Sequence, residues 1–152
     1  MRPYPRFSLE KKAMQLTTKG RYAVTALLDL AMHQQAGPTT IAQVAERQGI
    51  SPLYLERLAG RMRANGLLTS IRGPRGGYLL ARSPHEITLA EIIQAVDERI
   101  DTTQCKGKGN CFGGTMCLTH HLWDELNQQI FHYLDKITLG ALAERSGARC
   151  AV

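Results

Sequence analysis

The stretch TIAQVAERQGISPLYLERLAGRMRANG, residues 40–66, reads as two short helices folded about a single tight turn. Thr40 and Gln43 have the spacing of a capping box, and Ile41, Val44 and Ala45 follow as one apolar face up to about Gln48. Gly49 supplies the turn. Ser51 is a good N-cap with Pro52 at the first helical position, so a second helix is expected over about 52–65, ended by Asn65-Gly66. Its spacing buries Leu55, Leu58 and Met62 and exposes Tyr54, Arg57, Arg61 and Arg63. Two capped helices joined in this way make a helix-turn-helix, whose second helix offers its first residues to base edges in the DNA major groove. Here those residues are Ser51, Leu53, Tyr54, Glu56 and Arg57. Arg57 has the chemistry to pair with guanine O6 and N7, and Glu56 to accept from cytosine N4. Because a carboxylate repels phosphate, Glu56 also restricts which sites are tolerated. Arg61 and Arg63 are expected at phosphates, which set affinity and register.

The flanking segments extend this unit. Upstream, Val24, Leu27, Leu28 and Ala31 recur at helical spacing from near Lys19 until Gly37-Pro38. Downstream, two β-like stretches, Leu68–Ile71 and Tyr78–Ala81, flank the segment RGPRGG at residues 72–77. Pro74 and Gly76 stand at the second and fourth positions of a type I turn, giving a hairpin with a basic tip. Such a wing places Arg72 where it can enter the minor groove, with Arg75 adding charge. The expected fold class is therefore mainly α with a small β-hairpin wing: a winged helix-turn-helix domain followed by a dimerisation helix.

Charge distribution agrees with a nucleic-acid partner. Of the 152 residues, 1–82 carry 13 Lys/Arg against 4 Asp/Glu, a net +9, whereas 83–152 carry 6 against 9, a net −3. A basic half suits a polyanion such as double-stranded DNA. No apolar run is long enough to span a bilayer, and the basic segment MRPYPRFSLEKKA lacks the apolar core of a secretory signal. A cytoplasmic location without membrane association is expected. In that reducing setting four cysteines read as metal ligands or reactive thiols before disulfides. No phosphate-binding loop, dinucleotide fingerprint or nucleophile–base arrangement points to an enzyme.

Three of those cysteines lie in a glycine-rich loop: Cys105-x5-Cys111-x5-Cys117-x2-His120, with His121 an adjacent rival for the fourth position. Three thiolates and an imidazole suit either an iron–sulfur cluster or zinc. Structural zinc sites usually space ligands more tightly. Five intervening residues rich in glycine let the backbone wrap a larger object, and a [2Fe–2S] cluster is the preferred reading, with zinc the alternative. An imidazole is a weaker clamp than a thiolate and competes for a proton near its free pKa of about 6.5, which favours a labile sensor over a permanent electron carrier. Cys150 reads as a bystander.

Beyond the loop, Trp123, Leu126, Ile130, Tyr133 and Ile137 repeat at 3-4-3-4 spacing, as a heptad seam does. A homodimer is expected through this seam, since a helix-turn-helix gains specificity on a palindromic operator by pairing half-sites. The chain then divides into an N-terminal arm (1–15, with Met14 a rival start), the winged domain (16–82), a linker and helix (83–99), the cysteine loop (100–119), the dimerisation helix with a short terminal helix (120–146) and a tail (147–152). Two rival readings use the same cysteines: a zinc-stabilised winged-helix regulator and a small iron–sulfur electron carrier or delivery protein.

From about Leu16 to Ala143 the chain resembles the iron–sulfur cluster regulators within the large family of winged helix-turn-helix repressors. The resemblance rests on TKGRYAVTA (18–26), ERQGIS (46–51), RGPRGGYLL (72–80), AVDE (95–98), the whole cysteine loop through Leu122-Trp123, and ITLG (137–140). It implies a dimeric repressor and activator holding a [2Fe–2S] cluster through Cys105, Cys111, Cys117 and His120, with His120 chosen over His121. It further implies that cluster occupancy selects among promoters, including those of cluster-assembly genes, with cluster-assembly scaffold proteins as candidate partners. Glu56 matches the residue that discriminates between site classes in that family, and Arg72 matches its wing arginine. The chain departs at Arg57, where glutamine is typical, and at Arg75, where the wing has glycine.

Overall fold

A computed structural model describes residues 17–147. The expected arm, Met14, Cys150 and all of the tail but Gly147 lie outside the described residues. Six α-helices and one hairpin follow in the order α1 (Thr18–His33), α2 (Ile41–Gln48), α3 (Pro52–Ala64), β1 (Leu68–Ile71), β2 (Gly77–Leu80), α4 (Leu89–Ala95), α5 (His120–Asp135) and α6 (Leu139–Ser146). The chain is a winged helix-turn-helix, mostly helical with a two-stranded wing.

Local chemistry sets the ends of these elements. Thr40 and Gln43 form the reciprocal capping box of α2, and Gly49 closes that helix in the left-handed conformation (φ 66°) that a side chain would disfavour. The Ser51 hydroxyl accepts the Tyr54 N–H at the start of α3. A second capping box, Thr88 with Glu91, opens α4. In the wing, β1 and β2 pair antiparallel with Leu68 opposite Leu80 and Ile71 opposite Gly77. The turn between them closes with the Gly76 N–H donating to the Gly73 carbonyl at 2.9 Å.

The core lies between α1, α2 and α3 and continues beneath α4. Leu27, Val44, Leu55, Met62, Leu67, Ile87, Ile92 and Leu139 are almost wholly buried. Two backbone bridges, unmarked by any periodicity, seat the wing and the C-terminal helix. Thr39 pairs with Tyr78 by two hydrogen bonds (3.0 and 2.7 Å), which fixes the wing to the segment before α2. Leu89 and Leu139 exchange N–H donations with the carbonyls of Ile137 and Ile87 (2.9 and 2.8 Å), so α6 returns to the first domain.

One expectation is corrected here. Ile137 was grouped with the dimer seam, but it is 9% exposed and belongs to the core of its own chain. Helix α5 ends at Asp135, and a turn through Lys136 leads by way of Ile137 to the extended cap residue Thr138. The heptad spacing therefore outruns the helix that would carry it.

Candidate functional site

On α3 the residues Leu53, Glu56, Arg57, Gly60 and Arg63 form one exposed stripe at helical spacing, opposite the buried Leu55, Leu58, Ala59 and Met62. Leu53 is 67% exposed, a large apolar side chain open to solvent among the described residues. Arg72 and Arg75 are exposed on the wing at the same end of the sequence unit. Tyr54 differs from its expected exposure. It is half-buried, its ring meeting Tyr22 edge-on (centroids 5.8 Å apart, planes at 84°), with its hydroxyl 3.5 Å from Thr18 Oγ1. This contact links the start of α3 to the start of α1. Arg61 is exposed, as expected, and its guanidinium donates to the Val96 carbonyl (3.1 Å) and reaches Asp97 Oδ2 (3.4 Å) at the end of α4.

The helix pair itself is pinned by a residue that the apolar reading of α1 passed over. Asp29 is 2% exposed, and its carboxylate accepts from Arg47 Nε (3.0 Å) and Nη2 (2.5 Å) and from Gln48 Nε2 (2.7 Å). Burial alone would raise this carboxyl. The hydrogen bonds from Arg47 and Gln48, with the charges of Arg47 and His33, outweigh it and leave Asp29 below the usual carboxylate range. The signal was present in the pairing of an acid within LLDLAM and an arginine in α2, but no periodicity marks it.

The second centre lies in the loop between α4 and α5. The thiols of Cys105 and Cys111 and the imidazole of His120 converge, their ligand atoms all within 4.8 Å of one another. His120 Nδ1 stands 3.4 Å from Cys105 Sγ and 3.6 Å from Cys111 Sγ. His120 is buried at the first turn of α5, whereas His121 is exposed and meets only the edge of the His120 ring among the aromatic contacts. Geometry thus turns the first histidine, not the second, to the thiols. Cys117 adjoins the trio: its N–H donates to Cys111 Sγ (3.1 Å), and its own sulfur lies 3.7 Å from Thr119 Oγ1.

The loop is also electrostatically prepared for thiolate. Burial by itself would raise the Cys105 thiol. The Gly109 N–H, the Thr103 hydroxyl and the Gly107 N–H stabilise the anion and bring it down to about 6. At Cys111 the Cys117 amide favours the thiolate, but the neighbouring sulfurs of Cys117 and Cys105, together with burial, push the group up; Cys117 is lowered by Cys111 and Thr119. Supporting residues absent from the sequence reading hold the loop in place. Thr103 donates to Asp101 Oδ1 (2.6 Å) and accepts the Gly107 N–H (2.8 Å), while Asn127 of α5 accepts from Thr102 and donates to Asp101.

Helix α5 rises from this loop almost bare. Of its 16 residues only His120 is buried, while Leu122, Trp123, Phe131 and Tyr133 are 55, 39, 43 and 63% exposed. Leu126 and Ile130 of the expected seam are half-buried.

Comparison with known proteins places this geometry among transcription factors. The Rrf2 family profile, described as iron-dependent transcriptional regulator, matches residues 16–145. The HTH-type transcriptional regulator IscR of Escherichia coli K12 is 55% identical over 129 residues, covering 85% of this chain and 80% of that protein. Among solved structures, T. potens IscR superposes with a TM-score of 0.71 at 35% identity, covering 87% of this chain and 88% of that one. CymR, the global cysteine regulator of B. subtilis, gives a TM-score of 0.74 at 32% identity, covering 86% and 97%.

Proposed function

The chain belongs to the Rrf2 family of transcriptional regulators, and from that premise we propose that it is a homodimeric, cluster-sensing DNA-binding protein whose Cys/His loop holds a [2Fe–2S] cluster through Cys105, Cys111, Cys117 and His120. The observation that carries this reading is the convergence of two thiols and one imidazole within 4.8 Å, with a third thiol adjoining, in a loop whose amides favour thiolate. The donor set fits the group. Soft thiolates suit iron, glycine amides approach the sulfur atoms, and the N-terminal turn of α5 favours the negative charge of a thiolate-ligated cluster. When bound, the cluster would supply a one-electron redox centre.

The chain's own residues do the rest. The stripe Leu53, Glu56, Arg57 and Arg63 would enter the major groove, with Ser51 capping the helix that carries it, and Arg72 and Arg75 would follow the minor groove from the wing. Glu56 would select against sites that leave its carboxylate facing phosphate or an acceptor edge. Trp123, Leu126, Ile130 and Tyr133 would meet a second copy and set the spacing of two half-sites on a palindromic operator. Occupancy of the loop would alter operator choice, including at cluster-assembly genes, through differential affinity of the two forms. Cluster-assembly scaffold proteins are the proposed source of the cluster, and the cytoplasm the proposed compartment.

Zinc is the second reading, because ligand atoms within 4.8 Å equally suit one tetrahedral ion. Anaerobic purification followed by iron, sulfide and zinc analysis separates the two. The cluster reading expects a red-brown protein with about two irons and two sulfides per chain and an EPR signal on reduction. A colourless protein with one zinc per chain overturns it.

A further inference from the structure

Between the Cys/His loop and the helices α1 and α3 lies one short segment, residues 95–98, tied on two sides. On the first side it is held by α3. Arg61 donates to the Val96 carbonyl (3.1 Å) and reaches Asp97 Oδ2 (3.4 Å), and Asn65 Nδ2 reaches the Ala95 carbonyl (3.4 Å). On the second side it caps α1. Thr17 stands at the N-cap but makes no capping bond with its own side chain. Glu98, 7% exposed, accepts instead from the Gly20 N–H (2.9 Å), the Thr17 N–H (3.3 Å) and the Thr17 hydroxyl. A carboxylate there also meets the positive end of the helix dipole.

The same segment runs into the loop within a few residues. Asp97 and Lys106 are the two non-glycine residues with positive φ (56° and 54°) among the described residues, so a left-handed residue stands at each end of the span from turn to thiol. Between them Asp101, Thr102 and Thr103 bond to Asn127 of α5 and to the loop amide of Gly107. The opposite flank opens on a cavity of about 540 Å³ lined by Asp97, Glu98, Ile100, Asn127, Phe131 and Leu134. The segment is thus anchored to α1 and α3, joined to the loop by a span with a left-handed residue at each end, and given room to shift.

We propose that the turn 95–98 is the relay between loop and DNA, with Arg61 and Glu98 as its positioning residues. Order in the loop fixes residues 99–106, which fixes the turn, which sets how the start of α1 and the far half of α3 are held. The proposal rests on the cluster-sensing reading above and assigns to it a physical route. Arg61 thereby acts through Val96 and Asp97, not as a phosphate contact.

The test compares wild type, Arg61→Gln and Glu98→Gln, each as cluster-containing protein purified anaerobically and as a cluster-free Cys111→Ala form. The probe is a duplex selected by the wild-type protein from a random pool, titrated at several salt concentrations. Wild type is expected to show a difference of about fivefold or more between the two forms, the lower end of ordinary coupling. Both variants bring that ratio close to one without altering the salt slope. Hydrogen exchange of the cluster-free proteins without DNA supplies an independent reading: both variants speed exchange of the Gly20 and Glu98 amides while α2 stays protected. A lowered salt slope in Arg61→Gln with its ratio intact, by about 0.9 for one phosphate, marks a phosphate contact and overturns the proposal. A wild-type difference that survives both variants brings down the relay alone. Equal affinity of the two wild-type forms brings down the sensing reading and the relay with it.

Discussion

Asp29 carries more of the fold than any apolar neighbour's periodicity suggests. Its carboxylate is fully enclosed and takes three hydrogen bonds from the end of α2, so one ionised group joins the first two helices beside their apolar contacts. Because its native pKa lies below the unfolded value near 3.8, ionisation stabilises the fold above about pH 4. That contribution is lost as pH falls through the native value. Glu98 has the same sign, its carboxyl lowered against burial by Thr17 and Gly20. Asp29→Asn is expected to cost about 2 to 3 kcal/mol at pH 7, since Arg47 keeps partial access to water, and to flatten the acid limb of stability. Urea unfolding at pH 7 and between pH 5 and 2 checks this; an unchanged acid limb refutes the assignment. At the loop, His120→Ala should strip metal from protein purified anaerobically while His121→Ala retains it, because only His120 is turned to the thiols. Metal analysis of the two variants decides, and equal retention counts against His120 as a ligand. The cysteine spacing was legible as a ligand set, but the choice between adjacent histidines was not. Two imidazoles one residue apart differ by about 100° around a helix, and only the packed structure shows which way the helix start is turned.

The helices α2 and α3 were readable because each announces itself twice, by a cap and by an apolar face. Thr40, Ser51 and Thr88 all make the capping bonds their positions imply. What periodicity cannot show is contact between segments far apart in sequence. Thr39 with Tyr78 and Leu89 with Ile137 bond through backbone, to which side-chain pattern is blind. Ile137 shows the same limit from the other side: its spacing fits the α5 seam, yet the helix has already ended. Two glycines test how these elements are built. A Cβ on Gly77 would stand 2.5 Å from the Thr39 carbonyl carbon, with φ at 153°. Gly77→Ala is therefore expected to break the wing's seat on Thr39 and cost about 2 to 3 kcal/mol, read as a lowered urea midpoint and lost protection of the Tyr78 amide. Gly60 lies in the interior of α3 with no atom within 4 Å of its added Cβ. Gly60→Ala should stabilise the free protein by about 0.5 to 1 kcal/mol, a rise of about 1 to 4 °C in melting temperature. A fall in melting temperature would show that α3 requires the missing side chain for packing.

Among the described residues the molecule has a basic part that carries the helix-turn-helix and a long helix, α5, of which only His120 is buried. Soluble chains rarely leave a large contiguous apolar face open, and the exposed Leu122, Trp123, Phe131 and Tyr133 lie along one 16-residue helix. A second copy is the covering we propose, and it would also serve DNA binding. Two identical reading heads held at fixed spacing convert the second half-site contact into an intramolecular event, which multiplies affinity without new chemistry. Tyr133 is the best probe, being 63% exposed in one chain, so that a carboxylate there costs little while the chain is alone. Tyr133→Glu is expected to leave the melting of the winged domain nearly unchanged but to place two buried charges in the paired state. Sedimentation equilibrium at micromolar concentration should then show wild type as a dimer and the variant as a monomer. The variant's affinity for a palindromic duplex should fall by about 100-fold, towards that of wild type for a single half-site. If the variant sediments as the wild type does, the dimer does not form through this face of α5. If it is monomeric yet binds the palindrome as tightly, pairing of half-sites contributes nothing to recognition, and the cysteine loop must report to DNA within one chain.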